Sequence, residues 1–107
     1  MAMLMVEMVP RRTPIRSQAI LNAASGSACT VCGTTGETVV FAHLNEAFAG
    51  KGMSQKADDI AGFFACQRCH DQYDGRTRNE DVDAWVVMRA MYRTWRALIE
   101  EGVIILK

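Results

Sequence analysis

The stretch GFFACQRCHDQYD, residues 62–74, contains the pattern that decides the fold of this chain. Residues 62–66 form a short apolar run that predicts a β-strand. Residues 67–74 contain no helix breaker and predict a short helix, which Gly75 would end. Cys66 and Cys69 form a Cys-x-x-Cys pair where the two elements meet. The stretch therefore predicts a strand followed directly by a helix, with two metal-ligating thiols at the junction.

A second Cys-x-x-Cys pair lies upstream at Cys29 and Cys32, in a glycine-punctuated turn over residues 29–36. Structural Zn²⁺ takes four tetrahedral ligands, and two residues between cysteines let one turn present both thiolates to one ion. The two pairs therefore predict one structural zinc, closed to chemistry because the protein fills its coordination shell. The other interpretations are buried free cysteines or a redox pair, but a redox pair would want a βαβ pattern beside it, and none is visible.

The flanking segments predict the elements that the zinc would hold together. Residues 38–44, TVVFAHL, are rich in β-branched and aromatic residues and predict a strand that pairs with residues 62–66. Residues 45–59 between them predict a loop with room for a short helical turn. Upstream, residues 17–24 predict a short helix with Ser17 as its N-cap.

The last third of the chain predicts a long helix. Its apolar residues step by three and four positions and form one stripe, which consists of Trp85, Met88, Tyr92, Trp95 and Ile99. Asn79 or Asp81 would cap its start and Gly102 would end it. We interpret the stripe, both tryptophans included, as core or homodimer contacts. The apolar tail, residues 103–106, would add a strand or pack against a partner.

These elements together predict an α+β fold. A zinc-pinned ββα-metal core would carry a short N-terminal helix and a long C-terminal helix. The 107 residues would divide into a flexible arm, 1–16, and one zinc-stabilised domain, 17–107. No apolar run approaches the roughly 18 residues of a membrane span. Arg11 and Arg12 follow the apolar start of the arm, the reverse of a secretory signal, so we expect a cytoplasmic protein that uses no membrane.

The overall charge gives no sign of nucleic-acid binding, since the net charge is zero and the pI is near 6.7. Any such binding must come from a local basic patch. Candidate phosphate contacts flank the cysteine pairs and the loop between them: Lys51, Lys56, Arg68, Arg76 and Arg78. No DNA-reading motif is visible, so contacts would be weakly sequence-specific or directed by DNA structure.

The chain contains two histidines, and the predicted zinc would link the elements that carry them. His43 lies at the end of the first predicted strand, and His70 directly follows the second cysteine pair. Asp74 lies four residues after His70 and shares its helix face, so the two could hold one divalent ion. Neutral His43 could then take a proton from water while the metal stabilises charge on a phosphodiester. Taken alone, a histidine is more often a structural residue, and it is the joint placement of the two that favours catalysis.

The segments CTVCGTTGETVVFAHL and KGMSQKADDIAGFFACQRCHDQYDGRT resemble the YbcO-like family of prophage-encoded nucleases, a divergent branch of the HNH endonucleases. The match runs from about Cys29 to Thr77. The resemblance implies His43 as general base, His70 as a ligand of the catalytic ion (Mg²⁺, Mn²⁺ or Zn²⁺), and the four cysteines as ligands of structural zinc. It implies no organic cofactor.

Two departures from the HNH pattern stand out. Ala42 occupies the position where a metal ligand usually precedes the base, and no Asn lies at the usual spacing, Asp59 being the nearest polar residue. Other groups, such as Asp74, would then hold the catalytic ion. Together with these residues, the resemblance implies an endonuclease that acts on duplex or branched DNA in a bacterial host and is encoded by a phage or prophage. The alternative is an inactive zinc module that binds nucleic acid or a protein.

Overall fold

The computed structural model describes residues 13–36, 38–52, 55–74 and 83–107. Helix α1 spans Gln18–Ala24, strand β1 spans Val40–His43, and a 3₁₀ turn spans Ala47–Ala49. Strand β2 spans Gly62–Ala65, helix α2 spans Gln67–Tyr73 and helix α3 spans Ala84–Glu100. The predicted α+β class is confirmed, and each predicted strand and helix is present with slightly different ends.

Strands β1 and β2 form an antiparallel hairpin in which Phe41 pairs with Phe64 and His43 with Gly62. All four residues of β2 are buried, so this strand forms the centre of the core. Gly62 is required by space, because a Cβ there would collide with the carbonyl oxygen of Ala42 and the ring of Phe41. The hairpin is therefore closely packed at the end that carries His43.

Helix α1 begins as predicted, since the Ser17 hydroxyl accepts a hydrogen bond from the Ile20 N–H. The chain that precedes it contacts the rest of the domain. The Ile15 N–H donates to Asp58 at 3.2 Å, and the Arg16 guanidinium donates to the Ala57 carbonyl at 2.7 Å. Residues 15 and 16, which the sequence assigned to the flexible arm, are thus anchored to the loop before β2. Residues 1–12 lie outside the described part.

Helix α3 packs on β2 with a face that differs from the predicted one. Its buried residues are Ala90, Thr94 and Leu98. The predicted stripe lies almost opposite this face and is exposed, with Trp85 59% and Tyr92 62% accessible. The core alternative for this stripe, both tryptophans included, is therefore wrong, and the homodimer alternative stays a prediction. The physical reason is that small residues let α3 approach β2 closely, which the bulky stripe could not do.

Thr94 shows how the polar part of this packing is satisfied. Its hydroxyl accepts a hydrogen bond from the Phe64 N–H at 2.9 Å and lies 3.4 Å from the Thr30 hydroxyl. The Thr30 hydroxyl in turn donates to the Phe64 carbonyl at 2.8 Å. Because Thr30 lies within the first cysteine pair, this buried network joins α3, β2 and the turn that carries Cys29 and Cys32.

The ends of α3 refine the prediction. Its N-cap is Asp83, whose carboxylate accepts from the Val86 N–H at 3.0 Å, rather than Asn79 or Asp81, which lie outside the described residues. Asp83 is the acid placed directly before the first helical turn, where a carboxylate can reach the free N–H groups. Gly102 follows the helix with φ 78°, as a C-terminal glycine should. The tail forms no strand, and Val103 and Ile104 pack against the core. Within the described ranges, no helix has the length and apolar character needed to cross a membrane.

Candidate functional site

The four cysteines form one cluster, as predicted. Their sulfur atoms all lie within 4.8 Å of one another, and the Cys32 and Cys66 sulfurs are 3.7 Å apart. Sulfurs around one zinc at bond lengths of about 2.3 Å lie roughly 3.7 Å apart, so the cluster has the dimensions of a zinc site. No disulfide joins them. The fold therefore brings the turn before β1 and the start of α2 together in one four-cysteine cluster, which is consistent with a structural zinc site.

The surroundings of the cluster stabilise thiolates at its outer edge. A hydrogen bond with the Thr34 hydroxyl lowers the pKa of Cys32 to about 6. Burial raises the pKa of the Cys69 thiol, which lies on the inner side. The exposed Arg68 guanidinium hydrogen-bonds the Cys32 sulfur, and this contact raises the pKa of Arg68. Arg68 would thus offset the negative charge that four thiolates would leave around a bound Zn²⁺.

His43 is held by a buried carboxylate. Its Nε2 atom lies 2.7 Å from Oδ1 of Asp59, and the side chains are 17% and 2% exposed respectively. The second carboxylate oxygen accepts the Ser17 N–H at 2.8 Å, and the Arg16 guanidinium lies 3.6 Å from Oδ1. Burial raises the pKa of Asp59, but the hydrogen bonds from His43 and Ser17 outweigh it, so the net shift is downward.

This arrangement fixes the tautomer of the ring. An ionised Asp59 only accepts hydrogen bonds, so the proton of a neutral His43 resides on Nε2. The lone pair then remains on Nδ1, which is free to accept a proton from a bound reactant. A cleft of about 620 Å³ between α1 and β1 has His43 in its wall, together with Asn22 and Phe41. The ring therefore combines a fixed orientation with access to the surface.

His70 and Asp74 form the second polar group of the site. Their Nε2 and Oδ2 atoms are 3.4 Å apart, on one face across the end of α2. Ligands of one ion at bonds of about 2.1 Å are separated by roughly 3–3.5 Å, so this pair fits a shared divalent cation. Nδ1 of His70 is buried and has no hydrogen-bond partner among the described residues.

Asn45 joins this pair and was missed by the sequence analysis. Its side-chain amide donates to Oδ1 of Asp74 at 3.3 Å, and its backbone N–H donates to the Tyr73 hydroxyl at 2.9 Å. Rotation of the amide would turn its oxygen toward the same point, which makes Asn45 a third potential ligand. The available signal was its position two residues after His43, but only the fold shows that β1 ends beside α2.

His43 and the His70–Asp74 pair are two separate polar groups. No hydrogen bond or ion pair joins them within the described ranges. Successive side chains of a strand leave opposite faces. His43 shares the face of Phe41, whose ring is 5.0 Å away, whereas Phe63 on the other face contacts Tyr73 of α2 at 5.3 Å. The two groups thus border the end of the hairpin from opposite sides, with Asn45 between them along the chain.

The structure describes some of the remaining predicted site residues, and others lie outside the described ranges. Ala42, at the position of the missing ligand, is fully buried and pairs with Phe63. Lys51 and Lys56 are exposed on the loop that returns from β1 to Asp59. Arg76 and Arg78 lie outside the described residues. The sequence offered Asp59 only as the nearest polar residue in place of the usual Asn, and the structure places its carboxylate against His43, sixteen positions away.

Comparison with known proteins gives consistent results. The family model described as "Putative nuclease YbcO" matches residues 18–103. Relatives with that description from Escherichia coli (strain K12) and Enterobacteria phage 82 are each 34% identical over 90 residues, covering 77% of this chain and 92% of the relative. A solved structure described as a "putative bacteriophage protein" from Escherichia coli K-12 superposes with a TM-score of 0.56. It is 33% identical and covers 77% of this chain and 98% of its own.

Proposed function

This chain belongs to the phage-associated family described as "Putative nuclease YbcO", and from that premise we propose that it is a metal-dependent endonuclease of the HNH kind. Its substrate is the phosphodiester bond of duplex or branched DNA. The observation that carries the proposal is the 2.7 Å contact between His43 and the buried Asp59. A partly exposed histidine with an enforced tautomer is a group prepared for proton transfer rather than for packing.

His43 acts as general base. With Nε2–H donated to Asp59, Nδ1 accepts a proton from water, and the carboxylate stabilises the imidazolium that results. The buried, low-pKa Asp59 stays ionised throughout, since its second oxygen remains bonded to the Ser17 N–H. Asp59 therefore takes the positioning role for which the HNH pattern would use another residue.

His70, Asp74 and Asn45 would hold the divalent ion. When bound, such an ion polarises the phosphate and offsets the charge that develops on the leaving oxygen. The ligands stand on the opposite side of the hairpin end from His43, so the scissile phosphate would lie across that end. Lys51 and Lys56, exposed on the neighbouring loop, would contact flanking phosphates. Arg68, at the outer edge of the cysteine cluster, would also contact phosphates. We assign phosphate contacts to Arg76 and Arg78 from their positions in the sequence.

One observation favours the second candidate, a zinc module that binds nucleic acid or protein without cutting. Ala42 is fully buried where HNH enzymes place a ligand. A catalytic ion would then have only one histidine, one carboxylate and one amide as protein ligands, and these three ligands would bind it weakly. The two candidates make opposite predictions about turnover.

The test is a nicking assay on supercoiled plasmid, with zinc-loaded protein and added Mg²⁺, Mn²⁺ or Zn²⁺, run beside a DNA-binding titration at several salt concentrations. The endonuclease requires metal-dependent conversion of supercoiled to nicked or linear DNA. Salt-sensitive binding with no conversion in any metal would instead identify the binding module. Asp74→Ala removes a proposed ligand of the divalent ion and should not cut DNA. Asp71→Asn, a change within α2, is its control and should cut like the wild type.

A further inference from the structure

The exposed stripe of α3 points to a second macromolecular surface. Five large apolar side chains lie on the helix face turned away from the core, and they are 37–63% accessible. They are Trp85, Met88, Tyr92, Trp95 and Ile99. Their spacing of three, four, three and four residues is that of a seam between two paired helices. We propose that this stripe is a homodimer interface in which α3 pairs with α3 of a second copy.

The area of the surface suits a second copy of this small chain. An aromatic side chain buries about 150–250 Å² when fully covered, so the half-exposed stripe offers on the order of 500 Å² per protomer. Ile105 and Leu106, 75% and 71% exposed, follow the same end of α3 as Ile99. With them the apolar surface approaches the roughly 800 Å² per partner of a standard interface. The net charge of zero presents no barrier to self-association.

The charges around the stripe favour a protein partner over nucleic acid. Each arginine of α3 is already engaged within the chain. Arg89 lies 4.9 Å over the Trp85 ring, Arg93 donates to the Thr30 carbonyl at 3.2 Å, and Arg96 pairs with Glu100 at 3.0 Å. The Trp95 N–H also has a partner, the Ile60 carbonyl at 3.0 Å. What remains for a partner is mainly apolar surface, as in the centre of an interface.

The order of side-chain sizes selects an antiparallel arrangement. Tyr92 is the midpoint of the stripe, with Trp85 seven residues before it and Ile99 seven residues after. A two-fold axis at Tyr92 would set Trp85 against Ile99 of the partner and would bring Trp95 within one position of Met88 of the partner. Each tryptophan would then face a smaller residue on either side of the central Tyr92 pair, which allows interdigitation. A parallel pairing would set each tryptophan against its own copy and crowd the seam.

The experiment is sedimentation equilibrium of the full, zinc-loaded chain across a concentration series. Wild type should dimerise, and Tyr92→Glu should raise the dissociation constant at least about tenfold, as expected for a central interface residue. Phe48→Glu is the matched control, because Phe48 is an exposed aromatic residue outside α3, 74% accessible, and should leave association unchanged. Zinc content and thermal unfolding of each variant establish that it is folded.

The size pairing gives a second readout. Ile99→Trp alone should weaken the dimer, and adding Trp85→Ile should restore it, since the pair of changes re-creates one large and one small residue at each contact. A wild type that stays monomeric at millimolar concentration would overturn the proposal. Equal association of wild type and Tyr92→Glu would do the same, and a Tyr92→Glu variant that loses only DNA binding would assign the stripe to nucleic acid instead.

Discussion

Nε2 of His43 and Oδ1 of Asp59 lie 2.7 Å apart, with the ring near the surface and the carboxylate buried. The loop from β1 to β2 carries Asp59 back beneath the end of the strand that carries His43. Arg16 and Ser17, from the chain before α1, complete the surroundings of the carboxylate. The histidine is thus oriented by segments from three parts of the sequence.

Asp59→Asn should lower the cleavage rate by about 100-fold or more while the fold persists. The Ser17 N–H needs an acceptor, so the amide oxygen would turn toward it and the amide NH₂ toward His43. Nε2 would then have to accept, which moves the ring proton to Nδ1 and removes the base. The measurement is kcat on plasmid DNA, with the neighbouring Asp58→Asn as control. A rate within twofold of wild type would argue against a positioning role for Asp59.

Asp59 should also make stability depend on pH. Its pKa is lower in the folded protein than in the unfolded chain, so the ionised carboxylate stabilises the fold above about pH 4. This contribution is lost as the pH falls through the folded pKa. The melting temperatures of wild type and Asp59→Asn should therefore converge between pH 5 and the acid limit of folding. Zinc release in acid affects both proteins alike, so parallel melting curves at every pH would contradict the prediction.

Removal of one zinc ligand should unfold much of the domain. Cys66 joins the end of β2 to the start of α2, and zinc binding in small domains contributes roughly 10 kcal/mol of folding energy. Cys66→Ser should lose stoichiometric zinc and cooperative thermal unfolding, whereas Gln67→Ser, on the exposed adjacent position, should keep both. Metal analysis and circular dichroism provide the measurement. An unchanged melting temperature in Cys66→Ser would show that the fold does not depend on the metal.

The second metal position can be tested apart from catalysis. Asp74→Ala and Asn45→Ala should each weaken Mn²⁺ binding to the zinc-loaded protein by about tenfold or more, as measured by electron paramagnetic resonance titration. Asp71→Asn should bind Mn²⁺ like wild type, since Asp71 already accepts from Gln67 at 2.7 Å. Equal affinity in all of the variants would remove the proposed ligands from the site.

The sequence predicted well what local patterns determine. Cysteine spacing predicted the four-cysteine cluster. A run rich in β-branched residues predicted β1, a short apolar run predicted β2, and the predicted Ser17 cap is present. The buried face of α3 was assigned wrongly, because α3 has two candidate faces and the bulkier one looked like the core. The buried face carries the polar residue Thr94, whose burial is explained only by its hydrogen bonds to Phe64 and Thr30. No local pattern encodes a partner that distant.

The same limit applies to the site. His43, His70 and Asp74 were selected by residue type and spacing, and the structure places His70 and Asp74 together. Asp59 was named only as the nearest polar residue and Asn45 was not named, because their contacts with His43 and Asp74 depend on the path of the chain after β1. Such contacts depend on tertiary structure, which a single sequence does not display.

The most direct measurement compares cleavage of plasmid and branched DNA by wild type and His43→Ala, with Mg²⁺ or Mn²⁺ present and zinc content and melting temperature matched. We predict metal-dependent cutting by wild type and a loss of about 100-fold or more in the variant, because Nδ1 of His43 is the proposed proton acceptor. Cutting by His43→Ala at the wild-type rate would contradict that role. Retained DNA binding with no cutting by either protein would contradict the nuclease itself.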